Sequence, residues 1–458
     1  MTTVTGAVAD TRARVSGGLA AELPGHLARL AWDAERLAAH QREGLRALVA
    51  HARACSPFHA RRLAGIDVDR LDDLAQLPVM TKRDLTERFD DVVTDRRLTR
   101  ALVEEHLAAS TAEPRLLLDE YVCLASGGSS GLRGVFIQSV DEYVQFGAGI
   151  LRRPMARLLA AGGPPPGGLV IAMVAAASPI HSTAFGSSTA TDGPARLVSI
   201  PATLALAEIV DRLNTLQPPA IQGYTTKLAQ LAREQRAGRL HISPWSITTT
   251  SEPLAPEDRQ NIQSAFGVPV VDQFAATEGA VGHSEPGERP ITFATDLAIV
   301  EPVDAAHRPV PPGTPSDKVL VTNLHNLTLP LIRLEVADRF VARNWALGEG
   351  YLRATVDGRS DDVLRYGDVD VHPIVIRSLM VRAQAVSEYQ VRQTRRGLDV
   401  SVVADTALDE RAVAAALEAG LRNVGLRAPE VSVQRVAAIA RDAQTGKARR
   451  FVPAPSVE

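Results

Sequence analysis

The chain holds only two cysteines, Cys55 and Cys123, in 458 residues. Two isolated thiols build no disulfide framework and match no metal-ligand spacing, so no structural zinc is expected and a reducing, cytoplasmic setting fits. Long apolar runs are missing too. No stretch approaches the ~20 residues that span a bilayer, so no membrane partner is expected. The opening MTTVTGAVADTRARVSGGLAAE lacks the apolar core of a signal peptide. Nor is there an excess of one charge: 50 basic against 53 acidic residues give a net charge of −3, which removes the electrostatic case for binding nucleic acid. Internal repeats and low-complexity tracts are also absent, and no G-x-x-x-x-G-K-[ST] P-loop occurs.

What is present is a chain 45% hydrophobic, long enough for a large core and at least two domains. Residues 20–64 repeat apolar positions at three- and four-residue spacing, which predicts helix, with Pro57 ending the run. VMTKRDLTERF predicts a helix capped by Thr81, with Asp84 in its first turn. From about 115 strands and helices alternate: GLVIAMVAAAS, ARLVSI, AIQGY, SITTTS and PVVDQFA read as strands, and TLALAEIVDRLNTL, TTKLAQLAREQRAG and PEDRQNIQSAFG as helices. That alternation predicts an α/β domain on a largely parallel sheet. After about 290 the texture is strand-rich, and the last hundred residues predict a small α+β unit with a hairpin, a helix and a strand.

Residues 125–134 read ASGGSSGLRG between two β-rich stretches. Glycine inside a regular element costs about 1 kcal/mol relative to alanine. Such a cluster is therefore either a turn or a loop that must approach something closely. Ser126, Ser129 and Ser130 offer hydroxyls, Gly127, Gly128 and Gly131 let backbone N–H groups converge on an anion, and Arg133 adds charge. These residues alone leave phosphate binding and a plain hairpin turn both open.

Further along stand TTTSEPL (248–254), DQFAATEGAVG (272–282), PLIRLEVADRF (330–340), DGRSDDVL (357–364) and QTGKARRFV (444–452). Their order and spacing resemble the adenylate-forming superfamily of acyl-CoA synthetases and adenylation domains. The likeness is greatest to its phenylacetate–CoA ligase-like branch and covers nearly the whole chain, including HARACSPFHARRLAG and LPVMTKRDL. The resemblance implies a large N-terminal domain, 1–357, with helical (1–110), α/β (115–290) and strand-rich (291–357) parts. A small mobile α+β domain, 358–458, follows. It implies ATP and Mg²⁺ as cofactors. Ser126 to Gly131 then hold the β- and γ-phosphates. Ser251, Glu252 and Pro253 lie against adenine, with Asp272, Phe274 and Thr277 around the nucleotide. Glu278 is the magnesium ligand, since a hard cation bridging phosphates needs a carboxylate. Asp338 and Arg359 reach ribose or phosphate, and Asp361 falls at the hinge between domains. Lys447 is the catalytic lysine, His181 lies near the acyl site, and Tyr224, Ala275 and Gly279 fall at the substrate pocket.

Several of these positions carry plainer readings. Phe274, which stands where the family has tyrosine, also reads as a core phenylalanine. Ala275 stands where the family has glycine. His181 also reads as a satisfied core histidine and Tyr224 as a structural tyrosine. Glu252 also suits the N-terminus of the helix that follows it.

Two departures from the family bear on chemistry. The cysteine cluster that many relatives carry before the C-terminal domain is absent, again arguing against zinc. In RYGDVDVHP (365–373) the glycine is shifted and Asp370 takes the asparagine-like place of the loop that lines the pantetheine tunnel. The adenylating half-site is intact; the acceptor half-site is altered. The expected function is ATP-dependent activation of a small aromatic carboxylate as acyl-AMP, then transfer to CoA. Alternatives are transfer to an amine or carrier-protein thiol, and an ATP-dependent diazotase that activates nitrite for attack by an aryl amine. A nucleotide-binding sensor without catalysis would be marked by loss of Lys447 or Glu278, and both are present. Homodimers are common among relatives.

Overall fold

The computed structural model describes residues 2–454, leaving aside 72, 111–112, 127–133, 167, 177, 190–194, 253, 255, 345–349, 357–363, 372, 381, 384, 405–407, 438, 440–450 and 453. The N-terminal part is helical: α1 (Thr2–Arg29), α2 (Ala34–Cys55), α3 (Pro57–Arg62), α4 (Lys82–Glu87), α5 (Phe89–Val92) and α6 (Arg100–Ala109). Helix starts well before residue 20. A Cβ on Gly18 would lie 2.7 Å from Val144 Cγ2. Glycine there lets α1 press against the helix that carries Val144. Pro57 does end α2, as expected, and then occupies the first turn of α3, where its missing N–H costs nothing. The Thr81–Asp84 capping box that the sequence predicts is formed on α4.

A two-stranded antiparallel hairpin follows, β1 (Tyr121–Ser126) and β2 (Gly134–Ser139), leading into α7 (Val140–Ala160). The next elements are β3 (Leu169–Ala175), α8 (Ser182–Thr189), β4 (Ala195–Pro201), α9 (Leu206–Leu216), β5 (Ala220–Tyr224), α10 (Thr225–Arg236), β6 (Ser246–Thr250), α11 (Pro256–Phe266) and β7 (Val270–Ala275). Then come β8 (Val281–Ser284), β9 (Ile291–Phe293), β10 (Ala298–Val303), β11 (Lys318–Asn323), β12 (Leu334–Val336), β13 (Phe340–Asn344) and β14 (Arg353–Val356). The main sheet has nine strands in the order β13-β14-β9-β8-β7-β6-β5-β3-β4. Its five strands from β3 to β7 are parallel, as the alternation predicts, and the rest extend it antiparallel. Strands β10, β11 and β12 form a separate antiparallel sheet.

The last part holds the hairpin β15 (Leu364–Tyr366) and β16 (Val369–Val371), α12 (Pro373–Met380), β17 (Val386–Gln393), β18 (Gly397–Ala404), α13 (Glu410–Asn423), β19 (Glu430–Arg435) and β20 (Phe451–Val452). Its hydrophobic cluster draws only on residues from Leu364 onward. The fold class expected from the sequence, mixed α/β with a small α+β unit at the end, is the fold observed.

Two buried ion pairs tie distant segments together. Arg152 on α7 forks onto Asp296 at 2.5 and 2.8 Å. Arg333 forks onto Glu301 at 3.0 and 3.1 Å, while its other nitrogen donates to the Leu77 carbonyl at 2.7 Å. The second pair matters for the site, because it fixes the segment that leads into α4.

Candidate active site

In the parallel half of the sheet, β4 lies on one side of β3 and β5 on the other. The chain therefore reverses its direction of travel between β3 and β5, and the crevice beyond the carboxyl ends of such strands is where open α/β sheets bind ligands. The ends of β3 and β5 are pinned here: the Ala176 N–H donates to the Tyr224 hydroxyl at 2.9 Å. Tyr224 is buried, and its ring belongs to the core of this half of the sheet. His181 closes the turn after β3 and starts α8, its N–H bonded to the Ser178 carbonyl at 3.0 Å. One residue earlier, the Ile180 carbonyl accepts the Ala125 N–H at 2.8 Å. That bond brings His181 beside the end of β1, where Ser126 begins the serine–glycine loop. Gly127, Gly128, Ser129, Ser130 and Gly131 lie outside the described residues.

After β6 the chain turns sharply at Ser251, whose φ of +66° is a conformation non-glycine residues rarely hold. Glu252 follows, its carbonyl accepting the Thr225 hydroxyl at 3.4 Å; Pro253 lies outside the described residues. In the first turn of α10, Lys227 is only 3% exposed. Burial pushes its pKa down to about 8, against the opposing pull of Glu252 and Asp370. The unfolded chain then binds the proton more tightly than the folded one between pH 8 and the ordinary lysine value of 10.5. Stability must therefore rise through that window. Relative to Lys227→Met, wild-type stability is expected to gain about 3 kcal/mol from pH 8 to 10.5. Urea unfolding at a series of pH values reads this directly, and parallel profiles for the two proteins would contradict it.

Strand β7 delivers Asp272, Phe274 and the turn Thr277–Glu278–Gly279. Burial pushes the Asp272 carboxyl up to about 6, opposed by a 2.8 Å bond from the Thr249 hydroxyl and by the nearby Arg259. Phe274 meets Phe293 and Phe340 edge-on, at 5.4 and 5.6 Å between ring centres. Its ring is thus part of an aromatic cluster with Phe293 and Phe340, and Asp338 lies two residues before Phe340 in the chain. Ala275 ends β7 and is partly buried against the core shared by α7 and the first hairpin. On the sheet face toward α7, Gln222, Gln273 and His283 form a polar row linked by two 3.0 Å bonds.

Glu278 is buried, and its carboxylate faces a residue the sequence did not single out. Lys82 Nζ lies 3.1 Å from Glu278 Oε1, with the two side chains 16% and 7% exposed. The Thr277 hydroxyl donates to the other carboxylate oxygen at 3.4 Å. Lys82 is the first residue of α4, and its placement is overdetermined. The capping box fixes α4, backbone bonds join Met80 to Arg333 and Glu335, and the Arg333–Glu301 pair holds Leu77. The turn itself is held by Asn323, whose amide donates to the Glu278 carbonyl at 3.2 Å. Gly279 has φ +109°, and a Cβ there would lie 2.2 Å from Asn323 Nδ2. Gly279→Ala must both strain the backbone and displace Asn323. It is expected to cost about 1–3 kcal/mol, read as a lower urea midpoint.

One buried carboxylate beside a hydroxyl suits a hard cation that completes its shell with phosphate oxygens and water. Among the described residues no group of three or more His, Cys, Asp or Glu side chains could hold a metal by itself. Arg359, Asp361 and Lys447 lie outside the described residues. No described helix is long and apolar enough to cross a membrane.

No protein-family model matches the sequence. Among solved structures, the chain is similar to 2-hydroxyisobutyryl-CoA ligase. In its thioesterification state with 2-HIB-AMP and CoA the TM-score is 0.56, at 21% identity over 92% of this chain and 90% of that one. In its open conformation with the same two ligands the TM-score is 0.52, at 20% identity over 90% of each chain. Protein CapK of Staphylococcus aureus is 29% identical over 139 residues, a match spanning 30% of this chain and 29% of that protein. The fold is therefore that of an adenylate-forming ligase.

Proposed function

We propose that this chain is an ATP-dependent, AMP-forming ligase of the phenylacetate–CoA ligase-like branch. It activates a small aromatic carboxylate as acyl-AMP, releases pyrophosphate, and passes the acyl group to CoA. The observation that carries this reading is the buried Glu278–Lys82 pair at the turn after β7, at the same carboxyl edge of the parallel strands as the β3–β5 crevice, in a fold shared with a ligase observed with its adenylate and CoA.

In this reading a substrate carboxylate oxygen attacks the α-phosphate in line, and negative charge builds on the equatorial phosphate oxygens. Lys447, delivered by a mobile unit of residues 358–458, stabilises that charge more than the ground state. Glu278 and Thr277 would hold Mg²⁺, which would offset phosphate charge. The serine–glycine loop wraps the leaving pyrophosphate. The Ser251–Glu252 turn lies along adenine, and Asp338 and Arg359 hold ribose. His181, which follows the Ile180–Ala125 bond at the end of β1, orients the acyl group in this reading. Docking of the mobile unit excludes water from the anhydride.

A second reading rests on Asp370. A carboxylate on the acceptor side disfavours a polyanionic carrier such as CoA. An enzyme that activates nitrite, with an aryl amine attacking the nitrite–AMP anhydride, needs no such carrier. AMP and pyrophosphate release from ATP separates the two. One arm offers aryl and cinnamic-type carboxylates with and without CoA, the other nitrite with aminobenzoate-type amines. Carboxylate-dependent AMP with a thioester only when CoA is added is the expected result. AMP that requires nitrite and an aryl amine would replace the ligase reading with the diazotase.

A further inference from the structure

The hairpin β15–β16 pairs Leu364 with Val371, Arg365 with Asp370, and Tyr366 with Val369. Leu364 and Val371 are buried in the C-terminal cluster, and Tyr366 and Val369 pack against it. Side chains alternate faces along a strand, so Arg365 and Asp370 point away from that cluster. The hairpin is tied to its own sheet from behind: the Tyr366 hydroxyl donates to the Gly397 carbonyl at 2.5 Å, and the Gln393 amide donates to the Arg365 carbonyl.

What Asp370 meets on the other side is α10. Arg233 Nη2 lies 3.6 Å from Asp370 Oδ2, with the side chains 55% and 24% exposed. That pair alone is a weak rim contact. The buried cation is Lys227, six residues earlier on the same helix. Its position is electrostatically awkward, since an ammonium in a first helical turn faces the positive end of the helix dipole. Two carboxylates answer it, Glu252 from the turn after β6 and Asp370 from the hairpin, and they act against the burial that holds its pKa low.

Resting on the two-part organisation proposed above, we infer that Asp370 is the docking contact of the C-terminal unit. It seats the unit on α10 through Lys227 and Arg233. Lys227 then divides its charge between the C-terminal unit and the Ser251–Glu252 turn. When the hairpin departs, Glu252 alone remains to balance it. The position of the C-terminal unit is thereby felt at the turn assigned to adenine. The asparagine-like place in the acceptor loop is occupied by an acid because α10 presents two cations to it.

The test is an interdomain distance, which needs no substrate and no turnover. Spin labels go on the exposed Cys55 and on Arg411→Cys in α13; Cys123 is buried and escapes labelling. Double electron–electron resonance on the full chain should give one dominant, narrow distance. Asp370→Asn and Lys227→Met should each broaden it. Arg233→Gln should broaden it less, and Arg233→Gln added to Asp370→Asn should broaden it no further. Glu418→Gln, on the far helix, controls for general loosening and should leave the distance unchanged. A distribution already broad in the parent protein, or one that Asp370→Asn leaves untouched, overturns the assignment. Melting curves of each variant show that the units remain folded. Because the readout is a distance, it stands or falls separately from ATP–pyrophosphate exchange, which tests the ligase reading.

Discussion

Lys447→Ala is expected to lower the rate of AMP formation by ~10²–10³-fold while leaving the KM for ATP within a few-fold. The reasoning is differential. In the proposed ligase, nucleotide is held in the ground state by many groups: the phosphate loop, the Ser251–Glu252 turn, Asp338 and Glu278. Removing one ammonium therefore takes little from binding. Charge on the equatorial oxygens grows only as the carboxylate attacks, so the loss falls on kcat. Steady-state kinetics with saturating carboxylate, alongside nucleotide binding measured by calorimetry, separates the two quantities. Equal losses in binding and rate would make Lys447 a phosphate-binding residue. A kcat within twofold of the parent would remove the catalytic assignment and reopen the nucleotide-sensor reading.

Much of the frame was legible because its signals are local. The parallel strands from β3 to β7 are short apolar or β-branched runs bounded by turn residues, and helices α9 to α11 carry a 3.6-residue period. The Thr81–Asp84 box is written in four consecutive residues and forms as written. What was not legible depends on contacts between remote segments. Gly18 weakens a helix locally, and its place in α1 makes sense only once Val144 is set beside it. The serine- and threonine-rich stretch that becomes α8 carries no helical period, and its helix is set by packing against α1, β3 and β4. The crevice exists because β5 returns to the opposite side of β3 from β4, a topological fact with no sequence signature. Of the site, the serine–glycine loop, Arg359 and Lys447 are motif readings, and they await the kinetics above. Glu278 is legible from its motif, whereas its partner Lys82 belongs to no motif and carries no signal beyond its place on a capped helix. Its position at the start of α4, next to a capping threonine, was the one available hint. Nothing in VMTKRDL says that its ammonium faces a carboxylate almost two hundred residues away.

That pair yields the other large expected effect, and its two halves should not be equivalent. Lys82→Met removes the ammonium 3.1 Å from the Glu278 carboxylate, which is 7% exposed. Breaking a buried pair in this way costs about 3–5 kcal/mol, and the lower end applies because Lys82 keeps 16% of its side chain in solvent. Glu278→Gln strands the lysine instead, and a long, flexible ammonium can turn toward water. Its cost is expected to be the smaller by at least 1 kcal/mol. The double variant removes both charges, so urea unfolding should return most of the stability lost in Lys82→Met, giving a clear coupling energy in the cycle. Activity should not follow stability. In Glu278→Gln and in the double variant, AMP formation is expected to stay low even where the fold is restored, if Glu278 is the metal–nucleotide carboxylate proposed above. If the double variant regained activity along with stability, Glu278 would be a structural partner of α4. The nucleotide's cation would then have to be held by other residues.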